Sequence, residues 1–315
     1  MQGQYFTPDI PLTNVSQAFF NDPTQFIAEQ LAPMVSVPKK TFNIWFYGKD
    51  TLKQALDDTR TRFGETNQVQ GNIQSKAFGP LRGHELKDGI DFDQDEMAEA
   101  PLDFEIDITN LLSEKLAITK ELAVHSLLSS TSTITNNVTL SGTNQWNNYA
   151  SSAPLDDIRL GLDTQRLYGL KPANTIAMSY ETYSWLSRHP QLIESVKYAG
   201  VVSLTQEMML KLLAQWGVQN LIVSSAVYDS AAEGLAASNA YIWGQDVILG
   251  YVTKTPGLRT VNGAYTFTLE NGRYVDSWFE QGKKTKWIRN NDYYVPQVVG
   301  AEAFYLIKSA IASGL

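Results

Sequence analysis

The sequence predicts an α+β fold in which an α/β domain is inserted into a domain built of one long helix and a sheet. Three observations carry this reading. Apolar residues keep helical spacing over about 20 residues across 108–128. Helical and strand patterns alternate from residue 154 to residue 255, and after Pro256-Gly257 the patterns are those of strands alone. The late strands have no companion except the helix upstream of residue 129, so the alternating segment reads as an insertion.

Residues 1–38 hold Pro8, Pro11, Pro23, Pro33 and Pro38 among short apolar clusters such as Phe19-Phe20. Prolines at this density exclude a long helix, which leaves an extended amino-terminal arm with one short helix over 23–30 begun by Asp22 as N-cap. Residues 39–90 open on the β-prone run TFNIWFY at 41–47 and close on a second alternating run at 67–78, ended by Gly79-Pro80. This predicts a long two-stranded excursion, which needs another surface to lean on. An acidic stretch follows at 88–99, and then the long helix, with Asp103, Glu105 and Asp107 at its start where carboxylates suit the helix dipole.

Residues 129–153 are rich in Ser, Thr and Asn and mark the clearest boundary in the chain. Beyond it the expected elements are a helix at 154–167 stopped by Gly169, a strand at 174–178, helices at 180–186, 191–198 and 205–216, and strands at 219–224, 241–243 and 247–252. In the tail, strands at 264–269 and 274–279 flank Asn271-Gly272, a strong hairpin signal. Strands at 284–289 and 293–299 continue the sheet, and 301–311 reads as a last strand or a helix.

Composition narrows the chemistry. The 315 residues carry 25 Lys and Arg against 33 Asp and Glu, a net charge of −8, with 43% hydrophobic and 18% charged residues. That is enough apolar material for a large core, and the acidic balance argues against an extended basic face gripping phosphates. With no cysteine in the chain, disulfides, thiolate metal sites and thiol catalysis are excluded. The amino terminus has no signal-peptide pattern and no segment has the length of a membrane span, so a soluble chain that is not Sec-exported is expected. Seven Trp, 15 Tyr and 13 Phe against three His favour contact surfaces over acid–base chemistry.

The metal candidate is Asp91-x-Asp93-x-Asp95, but Glu96 stands where a calcium loop needs Gly and Leu102 where it needs Glu. His84, His125 and His189 are scattered, and no nucleophile elbow, P-loop or dinucleotide fingerprint occurs. No catalytic, cofactor-binding or metal-binding residue is therefore assigned. Arg60, Arg62, Lys76, Arg82 and Lys87, interleaved with Phe63 and Phe78, give the excursion a cationic character that fits an acidic neighbour, and 88–99 supplies such a face. Trp45, Arg60, Arg62, Phe63, Lys76, Arg82, Asp91 and Asp93 are the candidate intersubunit contacts.

The order arm, long hairpin, long helix, inserted α/β domain and returning sheet resembles the major capsid proteins of tailed bacteriophages with the Hong Kong 97 type fold. The strings that carry the likeness are Phe63-Gly64-Glu65, Ala100-Pro101-Leu102-Asp103, the helix over 111–128 with Glu121 inside it, Pro154-Leu155-Asp156-Asp157-Ile158, and Gly169-Leu170-Lys171-Pro172-Ala173-Asn174. The resemblance implies an N-arm at 1–38, an extended loop at 39–90, a peripheral domain at 91–153 with 256–315 whose spine helix is 108–128, and an axial domain at 154–255. It further implies a virion protein, assembled in the host bacterial cytoplasm, that forms hexamers and pentamers in an icosahedral shell around double-stranded DNA. A separate scaffolding protein, a portal and decoration proteins would be its partners, with no cofactor and no membrane. Some members of the family join a loop lysine to a neighbour's asparagine, for which Lys49, Lys53 or Lys76 with Asn290 or Asn291 offer the residue types. An encapsulin-like nanocompartment shell is the alternative within the fold, and a soluble carbohydrate-active enzyme using acids of 88–99 ranks behind both.

Overall fold

A computed structural model describes residues 26–47, 73–91, 104–169, 171–195, 204–232, 234–257, 260 and 262–312. The chain runs through helix α1 (Ala28–Leu31), strands β1 (Met34–Val37), β2 (Phe42–Tyr47), β3 (Ile73–Phe78) and β4 (Arg82–Asp91), then the long helix α2 (Phe104–Leu128) and β5 (Asn137–Thr139). The next stretch holds α3 (Pro154–Tyr168), β6 (Thr175–Ser179), α4 (Tyr180–Ser187), α5 (Pro190–Ser195), α6 (Gln206–Ala214), β7 (Asn220–Ser224), β8 (Val227–Asp229), β9 (Asn239–Tyr241) and β10 (Val247–Gly250). The tail supplies β11 (Ala264–Leu269), β12 (Tyr274–Glu280), β13 (Thr285–Val298) and β14 (Phe304–Lys308).

Two five-stranded sheets result, and α2 serves both. In the first, β13 is the central strand. Its residue Ile288 faces Asp88 of β4 on one side and Ser277 of β12 on the other. Further along, β11 takes the place of β12, and β1 adds to β11 in parallel. The expected hairpin at Asn271-Gly272 is corrected here: β11 and β12 do not pair with each other but lie end to end along β13. Thr268 faces Tyr294 and Tyr274 faces Asn291, so six steps on one side meet three on the other. Asn271, at φ 57, and a Gly272 N–H bond to the Leu269 carbonyl (2.9 Å) absorb the surplus as a bulge-like turn. Asn-Gly supplied the left-handed conformation, but the apolar pattern on either side was already satisfied by one shared neighbour. The true reversal lies in residues 281–284, and the two strands expected at 284–289 and 293–299 are a single β13.

The second sheet has the order β5-β14-β10-β6-β7. Its strands β6 and β10 are buried at every residue, as expected of strands covered on both faces. Alternation sends Ile176, Met178, Val247, Leu249 and Ile307 toward α3 and α6, while Ala177, Ile248 and Leu306 face Val124 and Leu128 of α2. The last segment is therefore a strand, and it joins this sheet rather than the strand-rich first one. Residues 129–153 are also more than a polar boundary. Ile134, Leu140 and Trp146 are buried, β5 pairs with β14, and the Trp146 indole N–H donates to Asp157 at 2.9 Å. A few apolar anchors among many polar residues are hard to see by composition.

The short helix expected at 23–30 is α1, shorter at its start, and Asp22 lies outside the described residues. Strand β4 was not expected: its ten residues are mostly polar and glycine-bearing, as suits an edge with one solvated face. Its partner aromatics explain the glycines. The Trp287 ring lies against Gly89 and the Tyr293 ring against Gly83, close enough that a Cβ at either position would collide.

Phe304 shows how tightly the two sheets are joined. It is fully buried, and its ring fills the space that side chains at Gly250 and Gly263 would need. Replacing Phe304 by alanine should lower subunit stability by about 3–5 kcal/mol in urea unfolding, from lost transfer energy plus a cavity the rigid glycine backbones cannot fill. A loss below about 1 kcal/mol would mean that the two sheets do not depend on this contact.

Candidate functional site

Two adjacent buried polar side chains on the spine helix α2, Lys120 and Glu121, hold the amino-terminal segment in place. Glu121 is 1% exposed. Its carboxylate accepts the Ile27 N–H at 2.7 Å, the Ala28 N–H at 2.9 and 3.1 Å, and the Trp243 indole N–H at 2.5 Å. The first N–H groups of α1 lack a capping side chain of their own, so a residue 93 positions away does the capping. The preceding residue, Lys120, is 3% exposed and pairs with Glu29 at 2.6 Å while lying 5.5 Å from the Tyr294 ring centre. Ile27, Ala28, Leu31 and Ala32 are buried beside Val124, Leu128 and Ile134, which completes the anchor.

One turn further on, the His125 ring meets Trp243 edge-on at 5.3 Å, and its Nε2 is 3.8 Å from an Asp246 carboxylate oxygen. The other Asp246 oxygen accepts the Ser309 N–H at 3.0 Å. Three chain regions, the amino-terminal segment, the 243–246 turn and the end of β14, are thus gathered on one helical face. Burial pushes the Glu121 carboxyl above the usual glutamate range, and the donors from Trp243, Ile27 and Ala28, which favour the ionised form, offset this only in part.

The second feature is the ribbon β2–β3, paired from Phe42–Phe78 to Tyr47–Ile73. Its root is an aromatic cluster in which Phe42 stacks on Phe78 at 6.3 Å and tilts onto Phe267 at 4.6 Å, with Val35, Ile44 and Leu81 around them. This gives the excursion the supporting surface that an isolated ribbon lacks.

The third is the face of the first sheet turned away from α2. Trp278 and Trp287 are register partners there, and the Lys87 ammonium lies 4.3 Å from the Trp287 ring centre and 5.8 Å from that of Trp278. Arg289 forms a fork on Asp276, at 3.0 and 2.7 Å, and covers Trp278 at 5.4 Å. Sequence reading passed over Trp278, Trp287 and Arg289. All three fall within strands that were expected, at 274–279 and 284–289, and the period-two spacing of Trp287 and Arg289 was the available signal.

The expected contact residues land unevenly. Arg60, Arg62, Phe63 and Asp93 lie outside the described residues, as does the side chain of Trp45, whose backbone faces Ser75 in the ribbon. Lys76 is exposed on β3, its ammonium 5.2 Å from the Phe78 ring centre. Arg82 and Asp91 are exposed at the two ends of β4, about 30 Å apart at strand rise, so they do not form one site. Asn290 and Asn291 do not suit a covalent join to a neighbour's lysine: both are fully buried, with amides donating to Ser113 and Asp276 at 2.9 Å. Among the described residues no trio of His, Asp or Glu stands close enough to hold a metal ion.

The sign of the Glu121 effect gives a test. A raised folded-state pKa means that the folded chain holds this proton more tightly than the unfolded chain does. The associated stability is complete below the unfolded value and is lost as pH rises through the folded one. The stability of dissociated wild-type subunits, relative to Glu121→Gln, should therefore fall as pH rises from the ordinary glutamate range upward. Urea unfolding at a series of pH values measures this, and a difference that stays flat or grows with pH would contradict the assignment.

No family model matches the chain. The major capsid protein of Burkholderia phage BcepMu is 27% identical over 306 residues, spanning 95% of each chain. A phage-related protein of Bordetella bronchiseptica RB50, known from its crystal structure, superposes with a TM-score of 0.75 at 22% identity over 98% of both chains. A chain of the capsid of cyanophage P-SCSP1u gives a TM-score of 0.60 at 11% identity, covering 90% of this chain and 88% of that one. Arm anchor, ribbon, spine helix and two sheets occur here in the order of that fold, and the likeness runs nearly end to end in both sequence and structure. The chain accordingly has the Hong Kong 97 type fold and is similar over nearly its whole length to a phage major capsid protein.

Proposed function

We propose that many copies of this chain close into an icosahedral shell of hexamers and pentamers around double-stranded phage DNA, as the head protein of a virion. The observation that carries this is the match across 95% of both chains to the BcepMu major capsid protein. The physical design supports it. Heterologous contacts that close into shells need elements reaching beyond the subunit's own core, and a clamped amino-terminal segment and a ribbon rooted on three phenylalanines are such elements. Trp278, Trp287, Lys87, Lys76, Arg82 and Asp91 offer exposed or half-exposed aromatic and charged groups for neighbouring copies. The net charge of −8 suits a wall that holds DNA without adsorbing it strongly. A separate scaffolding protein and a portal would guide assembly in the host cytoplasm, and decoration proteins would add to the finished surface.

Co-expression with scaffolding and portal proteins from the same phage should yield megadalton particles that contain DNA after packaging, visible by electron microscopy and sedimentation. Chains that stay monomeric under those conditions would overturn the reading. Particles filled with a protein cargo and lacking a portal vertex would favour the nanocompartment alternative.

A further inference from the structure

We infer that His189 works as an acid-sensitive latch: a proton taken up on its ring releases the corner between α4 and α5 from the 145–152 loop and from the start of α3.

The neighbours of the ring decide where its hydrogen sits. His189 is 1% exposed and lies between Ser187, the last residue of α4, and Pro190, the first of α5. Its Nδ1 accepts the Gln191 N–H at 3.2 Å, so the neutral ring carries its hydrogen on Nε2. That Nε2–H donates to the Ser152 hydroxyl oxygen at 3.0 Å, and the hydroxyl donates onward to the Asn148 carbonyl at 2.7 Å. The Tyr149 ring meets the imidazole edge-on at 5.3 Å, and its hydroxyl donates to the Trp185 carbonyl at 3.3 Å. Both ring nitrogens are thereby taken by neutral groups. The same placement rules out His189 as a base for Ser152, because the ring hydrogen already points at the hydroxyl.

More than one helix start hangs on this ring. The Gln191 side chain accepts the Leu155 N–H at 3.0 Å and donates to the Asp156 carboxylate at 3.1 Å. Ala153, the residue before α3, has no side-chain cap to offer, so the first turn of α3 depends on Gln191 as the first turn of α5 depends on His189. Leu192, 1% exposed, seats α5 in the same core as Ile158 and Leu162 of α3. The Trp146 N–H donates to the Ala310 carbonyl at 2.7 Å, which ties the 145–152 loop to the chain just after β14. One imidazole therefore joins the α4–α5 corner to the loop directly and to α3 through Gln191.

Protonation undoes this arrangement. An imidazolium donates from both nitrogens, so a proton arriving from solvent on Nδ1 faces the Gln191 N–H and the cap of α5 is lost. The ionisable groups on the elements around the ring are Asp156 and Asp157 of α3, Glu181 of α4, Arg188 next to it in the chain, and Glu194 of α5. Asp156 is held by the Gln191 amide, Asp157 accepts the Trp146 indole N–H at 2.9 Å, and Arg188 donates to Ser184 at 3.0 and 2.8 Å. Among the described residues no carboxylate hydrogen-bonds the ring to favour its charged form. Burial accordingly holds the imidazole below the usual histidine range. The unfolded chain binds this proton more tightly than the folded one, so the stability of the corner is complete above the ordinary histidine value and is lost as pH falls through the window below it.

Hydrogen–deuterium exchange of the full chain tests the latch, read as protection relative to the intrinsic rate at each pH on peptides covering 148–158 and 184–195. On going from about pH 7.5 to about pH 5 both peptides should lose protection, while a peptide from the middle of α2 keeps it. His189→Asn supplies a cap that does not titrate, and should leave the two peptides equally protected at both pH values. Ser152→Ala removes the Nε2 acceptor and leaves the Nδ1 cap in place, so its corner should be less protected at neutral pH and should still lose protection in acid. Three results would each overturn the latch and leave His189 a purely structural cap: equal protection of the wild type at both pH values, a loss shared in full by α2, or an acid loss in His189→Asn as large as in the wild type.

Discussion

The buried carboxylate of Glu121 is the interaction on which the rest of the arrangement depends. A charged group at 1% exposure is costly unless its oxygens are occupied, and here backbone and indole donors occupy them. The partners come from three places: the spine helix supplies the accepting acid, the amino-terminal segment supplies two donor amides, and the turn before β10 supplies the donor indole. Removing the acid would leave buried N–H groups without partners, at about 1–3 kcal/mol each. Specific geometry at this point is enforced by the cost of every alternative.

From this hub the two sheets follow. The spine helix presents Leu112 with Val275 and Ile288 to the first sheet, and Val124 and Leu128 to the second. Asn290 of β13 reaches Ser113, and Lys286 pairs with Glu105 near the helix start. A helix that serves two sheets has apolar residues around much of its circumference, and its polar core positions, Thr109, Ser113, Lys120 and Glu121, are places where it joins another element or its own preceding turn. The segment from Ile27 to Ala32 and the root of the ribbon are thereby both fixed to the body of the subunit.

Much of this was legible from the residues alone. The spine helix, the alternation of α3 to β7, and the ribbon strands β2 and β3 announced themselves because their periodicity is local. What failed was non-local. Asn271-Gly272 has the chemistry of a hairpin, but the strand after it found the same partner as the strand before it, so the turn became a surplus loop in one edge. β4 carries few apolar residues because its aromatic cover comes from Trp287 and Tyr293 across the sheet. Of the expected contact residues, Lys76, Arg82 and Asp91 lie exposed on strands, while the acid that anchors the amino-terminal segment was noticed only as part of a family string. A lone glutamate among helical residues gives no sign of burial until its partners at Ile27, Ala28 and Trp243 are known. The pair Asn290 and Asn291 looked reactive for the same reason, since sequence does not reveal that both amides are enclosed.

Amide hydrogen exchange at Ile27 and Ala28 tests the role of Glu121 most directly. In assembled wild-type chains these two amides should exchange nearly as slowly as those in the middle of the spine helix, and Glu121→Ala should speed them by about two orders of magnitude, equivalent to losing roughly 3 kcal/mol of local protection. The spine helix itself should keep its protection in the variant. Unchanged exchange at Ile27 and Ala28 would show that burial alone holds the segment and would contradict the account of the carboxylate as its anchor.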